Sequence, residues 1–451
     1  MAAKGPHRFP MTHRGVFAAG DRSYEGCSNS GNFKFARYIV TFASRFIFGC
    51  LPMADAAPSP PFPSSLSTAS TQAVSRTRML AIDALRGLVM LFMLVDHVRE
   101  TFFLHVQVSD PMDPVNTPPE LFFTRISSVV CAPVFVFLTG LSAWLYGQSH
   151  SPREVSIFLL KRGLFLVFLE LTLVNFAWNA TLVPTTLWLQ VIWAIGLSMI
   201  ALAALIHLPR TVLAIVGVVI VAGHNLLDGI VLTADSPFFE IWSILHQRAF
   251  LEITEFTRAR TTYPILPWIG LIALGYCAGP WFGRDADPAR RLRLLLNWGV
   301  GLLVGFIAIR YLNGYGEKPW SVLDDNVRTF MSFMSLTKYP PSLLYLMPTM
   351  GAGLLLLALF QRLEGRPVLE VLSRYGGAPM FFYVLHLLVL KAMYLIAVQI
   401  WGLNQGKYYG FDSLAGIWLW TVALAVALYF PTRWFAQLKQ RRRDIGWLKY
   451  F

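Results

Sequence analysis

Charge is scarce in this chain. Only 14% of its 451 residues are Asp, Glu, Lys or Arg, against about one quarter in soluble domains. That shortage excludes an ordinary soluble globule. Cysteine is scarce too. Cys27, Cys50, Cys131 and Cys277 show no paired spacing, so neither a disulfide framework nor a cysteine metal cluster is expected. CxxC, HExxH, Walker-type, Rossmann-type and GxSxG motifs are all missing, and no metal is expected. The long alternation of a membrane β-barrel is missing as well. Any catalysis must therefore use scattered polar side chains.

What the chain has is apolar length. Hydrophobic residues make up 55% of it, and runs of about twenty recur from residue 79 to the end. They predict an all-α, polytopic integral membrane bundle of about ten transmembrane helices, near 79–98, 121–147, 156–177, 184–206, 210–228, 264–283, 294–312, 342–361, 377–400 and 413–434. The formal charge of +13 would suit nucleic acid, but the basic residues sit in short loops, as topology determinants do. Every second loop is basic: Arg76 and Arg78, then Arg153, Lys161 and Arg162, then Arg210, Arg284 to Arg293, Arg362 to Arg374, and the tail Lys439–Arg443. The alternate loops hold most of the acidic residues. This pattern places both termini in the cytoplasm. Three outward loops, about 99–120, 229–263 and 313–341, are long enough to carry function.

Residues 1–76 read differently. A mixed basic segment and a short apolar stretch precede PSPPFPSSLSTASTQAVS, whose composition predicts disorder. The plainest reading is a disordered or non-conforming extension, with translation starting at Met53, ahead of one transmembrane domain over 77–451.

The stretch 79–100, MLAIDALRGLVMLFMLVDHVRE, is the most telling. Ionisable groups at membrane depth are costly and are seldom carried without a use. Arg86 and His97 are eleven residues apart, so they share one helix face about 16 Å apart. Arginine suits phosphate, with Asp83 one turn before it as a pairing partner. Histidine suits proton transfer near neutral pH. Asp96 or Glu100 could orient His97, although adjacent helical residues point about 100° apart. His105 offers a second imidazole in the following loop. Other polar residues in apolar surroundings include Glu170, Asn175, Trp178, His224, Arg310, Lys338, Tyr339 and His386. The plain expectation for each is an interhelical hydrogen bond, with His386 the one most suited to line a cavity.

The segment IDALRGLVMLFMLVDHVRE resembles the first helix of bacterial membrane proteins grouped with the catalytic domain of heparan-α-glucosaminide N-acetyltransferase, the DUF1624 group within the transmembrane acyltransferases. LFFTRISSVVCAPVFVFLTGLSAWLYG, LLKRGLFLVFLELTLVNFAW, YPILPWIGLIALGYCAG, KYPPSLLYL and GGAPMFFYVLHLLVLK are similar to further pieces, in order, over about 77–451. The resemblance implies an acyltransferase in the bacterial cytoplasmic (inner) membrane. It would move an acetyl or acyl group from cytoplasmic acetyl-CoA or another acyl-CoA to an extracytoplasmic sugar or glycan. The expected catalytic histidine maps to His97 with Asp96 or Glu100, or to His105, since the animal enzyme's histidine lies somewhat deeper in the loop. Arg86, Asp83 and His386 would serve the cofactor. Asn175, Trp178, Lys338 and Tyr339 would serve the acceptor and the oxyanion. The expected partners are lipid and the glycan, with no nucleic acid, and a homo-oligomer stays open. The rival class is a multi-helix transporter or flippase of an envelope precursor.

Overall fold

A computed structural model describes residues 69–442 and 444–451. The expected extension up to residue 68 lies outside the described residues, and from Ala69 the chain is helical. The fold is mostly helical. Helix α1 (Ala69–Phe102) is followed by α2 (Pro119–Ile126), α3 (Cys131–Gly147), α4 (Pro152–Leu169) and, after a π turn at Glu170–Val174, α5 (Asn175–Asn179). Then come α6 (Val191–Leu205), α7 (Arg210–Gly223), α8 (Phe239–Leu245), α9 (Leu266–Cys277) and α10 (Pro288–Leu312). The last five are α11 (Asn326–Phe333), α12 (Leu343–Arg362), α13 (Pro367–Gly376), α14 (Pro379–Trp401) and α15 (Leu414–Arg441).

Each of the ten expected segments contains helix, but the span count is smaller by length and composition. Among the described residues, six helices are long and apolar enough to cross a membrane: Pro119–Gly147, Arg210–Leu227, Pro288–Leu312, Leu343–Arg362, Pro379–Trp401 and Leu414–Arg441. Val191–Leu205 and Leu266–Cys277 are apolar but short. Helix α1 has the length, 34 residues, and carries ionisable groups at both ends instead of a clean apolar run. The expected helix at 184–206 also starts later. Thr186–Leu189 is strand β1, and helix begins only at Val191. β1 pairs in parallel with β3 (Arg258–Thr261), which pairs antiparallel with β2 (Phe250–Glu252). The β-branched and aromatic run Thr185-Thr186-Leu187-Trp188 suits a pleated strand once a partner is at hand.

Helix α1 is the axis of the bundle. Its Ala84, Leu85, Val89, Met90, Leu94 and Val98 are buried, packed by α13, α14, α15 and α12. Lipid offers helices no hydrophobic drive to associate, so close backbone approach does the work. At the α1–α13 crossing a Cβ on Gly87 would strike the Leu372 carbonyl, and one on Gly376 would strike that of Asp83. Glycine there lets the two backbones touch. Glu170, wholly buried at the π turn, accepts the Gln190 N–H at 3.3 Å and the Trp193 N–H at 3.2 Å. It thus satisfies donors that the start of α6 would leave unpaired.

Candidate active site in a cavity along the first helix

A cavity of about 780 Å³ runs along α1. Asp83 and Arg86 line one end, Met93 the middle, and Asp96, His97 and Glu100 the other. From residue 83 to residue 100 a helix rises about 26 Å, most of a hydrocarbon core about 30 Å thick. The face that carries these residues therefore looks into a passage, not into lipid. All three long loops read from the sequence reach it at the His97 end, through Asp110, Arg248, Tyr263, Lys338 and Tyr339.

His97 sits in the wall, and His386 stands behind it. Helix α14 starts with Pro379 at its first turn, a position where proline's missing N–H costs nothing. Two turns in, this puts Tyr383 and His386 on one face. The two imidazoles are nearly coplanar, 9° apart, with His97 Nδ1 2.6 Å from His386 Nε2. His386 Nδ1 is 2.7 Å from the Phe382 carbonyl oxygen. That oxygen only accepts, so Nδ1 of His386 carries the proton and its Nε2 accepts from His97 Nδ1–H. The tautomers follow: the basic lone pair of His97 is on Nε2. Trp178 and Tyr383 meet the His97 ring edge-on, at centroid distances of 5.4 and 5.9 Å. These contacts hold the ring in place.

His386 was expected to line the cavity and serve the cofactor. It does not line it. It is 0% exposed, and both of its ring nitrogens are taken by His97 and Phe382. Asp96, expected beside His97 as its orienting carboxylate, is taken up elsewhere. Its carboxylate accepts from Arg99 at 2.9 and 3.0 Å and from Arg125 at 2.9 and 3.1 Å, with Lys338 Nζ at 3.9 Å. The helical offset between adjacent residues turns it away from the imidazole. One buried carboxylate thus anchors three cations from three elements, and its loss would leave them uncompensated, at about 3–5 kcal/mol. Glu100 does line the cavity, near Arg99 at 3.5 Å. Asp110 completes this polar end. It accepts the Lys338 N–H at 3.1 Å and faces Arg248 at 3.7 Å. Burial pushes its carboxyl above the usual range, against the pull of Arg248.

The remaining expected residues divide. Lys338 and Tyr339 face the cavity, where Tyr339 Oη donates to or accepts from Tyr263 Oη at 3.3 Å. Asn175 does not line it. Its side chain bridges the Glu170 and Trp188 carbonyls and accepts the Trp188 N–H, a purely local duty. Trp178 packs on His97 and lines a separate small recess. His105 is outside the cavity wall, tilted against Phe103 with centroids 4.6 Å apart, and its Nδ1 abuts Gly410.

At the opposite end Arg86, Arg162, Arg284 and Lys439 converge. Arg86 donates to Asp83 at 2.7 Å and to Ser142. Arg162 Nε is buried without a hydrogen-bond partner among the described residues. In the sequence Arg162, Arg284 and Lys439 signal only topology. Arg125 has one clue there, its charge at the edge of the apolar run FTRISSVVCAP.

Among curated proteins, none matches the chain. Residues 78–309 match the family described as heparan-alpha-glucosaminide N-acetyltransferase, catalytic. That stretch runs from within α1 to within α10 and holds His97, Arg86 and Arg125, whereas Lys338 and His386 lie beyond it. The family implies a membrane acetyltransferase, and with half of its length so matched, this chain belongs to the heparan-alpha-glucosaminide N-acetyltransferase catalytic family.

Proposed function

We propose that the protein carries an acyl group through the membrane along α1, from acyl-CoA on the cytoplasmic side to an amino sugar or hydroxyl-bearing glycan on the other. One observation carries the reading: a histidine with a set tautomer lies in the wall of a cavity whose far end gathers four cations. The basic end suits the phosphates of coenzyme A, since guanidinium groups bind phosphate bidentately, and Arg162 Nε supplies an unused donor. Between the ends the walls are apolar, with Met93, Leu166, Ile195 and Met199. They suit the pantetheine arm, and the thioester would reach the His97 end.

There His97 Nε2 takes the proton of the acceptor amine or hydroxyl as that group attacks the thioester carbonyl. The tetrahedral oxyanion then collapses and expels the thiolate of coenzyme A, which receives the proton. The acyl group could equally rest first on His97 Nε2. His386 is a positioning residue: by accepting from Nδ1–H it holds the ring's tautomer and steadies the imidazolium, as a carboxylate does in hydrolase triads. Lys338 and Tyr339 are the facing donors for the oxyanion. Asn175, with its amide spent on backbone, leaves that role.

The deciding experiment uses purified protein in sealed vesicles with radiolabelled acetyl-CoA on one side and amino sugars on the other. Labelled sugar formed without an ion gradient is the expected result. A protein that moves the sugar but never labels it is a transporter, and the reading fails.

A further inference from the structure

Three ligand atoms converge at a place none of whose residues lines the His97 cavity. His224 opens the turn His224–Leu227 that ends α7, Asp228 follows that turn, and His246 follows α8. His224 Nδ1 and His246 Nε2 are 3.4 Å apart. His246 Nε2 is 3.5 Å from Asp228 Oδ1 and 2.9 Å from the His224 carbonyl oxygen. The three side-chain ligand atoms all fall within 4.8 Å of one another. With the Nε2 proton of His246 released from the His224 carbonyl, the three side-chain atoms offer lone pairs to one common point, where a cation would meet all three.

The distances agree with a particular class of ion. Zinc bonds of about 2.0–2.2 Å in a tetrahedron set neighbouring ligand atoms about 3.3–3.6 Å apart. Two of the three edges here already have that length. Two imidazoles with one carboxylate suit zinc and its neighbours, whereas magnesium and calcium prefer all-oxygen shells. Both imidazoles are buried, and Asp228 is 50% exposed, which leaves a route in and a side for water as a further ligand.

We propose that His224, Asp228 and His246 bind a divalent transition ion of the zinc class. The ion fastens the segment 229–263 to the end of α7. That segment delivers Arg248 and Tyr263 to the cavity, and Asn225 in the same turn accepts the N–H of Leu343 at 2.9 Å, at the start of α12. The role is structural, and nothing in it depends on the acyl-transfer reading. Sequence spacing could not announce the site, because the histidines are 22 residues apart and belong to different helices.

The test titrates full-length protein in detergent, stripped by chelation and freed of any affinity tag, with Co²⁺ and then Zn²⁺. The expected result is a saturable visible absorption band from Co²⁺, one equivalent per chain, displaced by Zn²⁺. Asp228→Asn, at a half-exposed position, should weaken binding by at least roughly tenfold, since even outer partners of metal ligands are worth that much. His246→Gln should abolish the band. If that variant does not fold, the Asp228→Asn titration decides alone. No saturable band, or affinity unchanged by Asp228→Asn, overturns the proposal.

Discussion

Among the described residues stand two pairs of facing, buried imidazoles, and a difference of less than an ångström separates their chemistry. His97 and His386 are 2.6 Å apart and nearly coplanar. His224 and His246 are 3.4 Å apart and tilted by 57°. The first gap fits one proton and no ion, because two metal–nitrogen bonds of about 2.0 Å at a tetrahedral angle need more room. The second is loose for a proton and right for an ion, and Asp228 adds the carboxylate that an ion favours. The first pair is also directional. A carbonyl fixes His386, which fixes His97, which meets the cavity. Spacing and neighbours decide what a histidine pair does, and residue type alone does not.

Replacing His97 should produce the largest effect. His97→Ala should lower kcat about 10²- to 10⁴-fold, the usual worth of a positioned base, with acyl-CoA affinity unchanged by direct binding measurement. In the wild type the neutral ring is the working form, so kcat should fall about tenfold per pH unit below its apparent pKa. A His97→Ala protein that folds, binds donor and transfers at the normal rate would remove the assignment. His386→Phe should come second. It leaves the Nδ1–H of His97 buried without an acceptor, at about 1–3 kcal/mol, or roughly 5- to 150-fold in kcat. The acid limb of the pH profile should move and KM for acyl-CoA should not. His386→Gln, whose Oε1 can accept in place of Nε2, should restore part of the rate. Equal losses for Phe and Gln, with no change in the pH profile, would reduce His386 to packing. The second histidine pair supplies the contrast: chelation should lower Tm and leave kcat within about twofold.

The sequence made one half of this comparison legible and hid the other. Arg86 and His97 share a stripe because helical period is enough to place them. The same period placed Asp83 and Glu100 in reach of the passage, and loop length alone pointed to the segments that close its His97 end. His386 stood out as a polar residue in an apolar helix, but its partner is 289 residues away, and no local rule reports such a pairing. Asp96 turns to Arg125, 29 residues on, and no local rule reports that partner either. The helical expectation at 184–206 gives way to strand β1 because the pairing with β3 spans the chain from Thr186 to Arg258. The polar–apolar pattern thus told which helices exist and which faces are costly, and tertiary pairing decided what each polar group does.

The cation-rich end of the cavity offers a smaller effect of a different kind. Arg162→Ala removes a buried donor that no neighbour among the described residues satisfies. A charge-assisted hydrogen bond is worth about 1.5–3 kcal/mol, so KM for acyl-CoA should rise about tenfold or more while kcat holds. Free coenzyme A should lose affinity in parallel. A fall in kcat at unchanged KM would mean that the basic end does not hold the donor's phosphates.

The smallest effect should come from the third imidazole of this region. Among the described residues no imidazole faces His105, whose Nδ1 is buried against Gly410 without a hydrogen-bond partner. It does not reach the cavity wall. Burial pushes its pKa below the ordinary value, and Asp412 pulls it only partly back, so the ring is neutral near pH 7. The folded protein resists protonating it, and the unfolded chain takes that proton first, from about pH 6.5 downward. His105 therefore weakens its loop in acid. His105→Ala should change kcat by less than about twofold and leave the acid limb of the rate profile in place, since the ring does not line the cavity. A loss comparable to that of His97→Ala would move the chemistry one turn and a loop further along the chain, and the relay through His386 would then be only a packing contact.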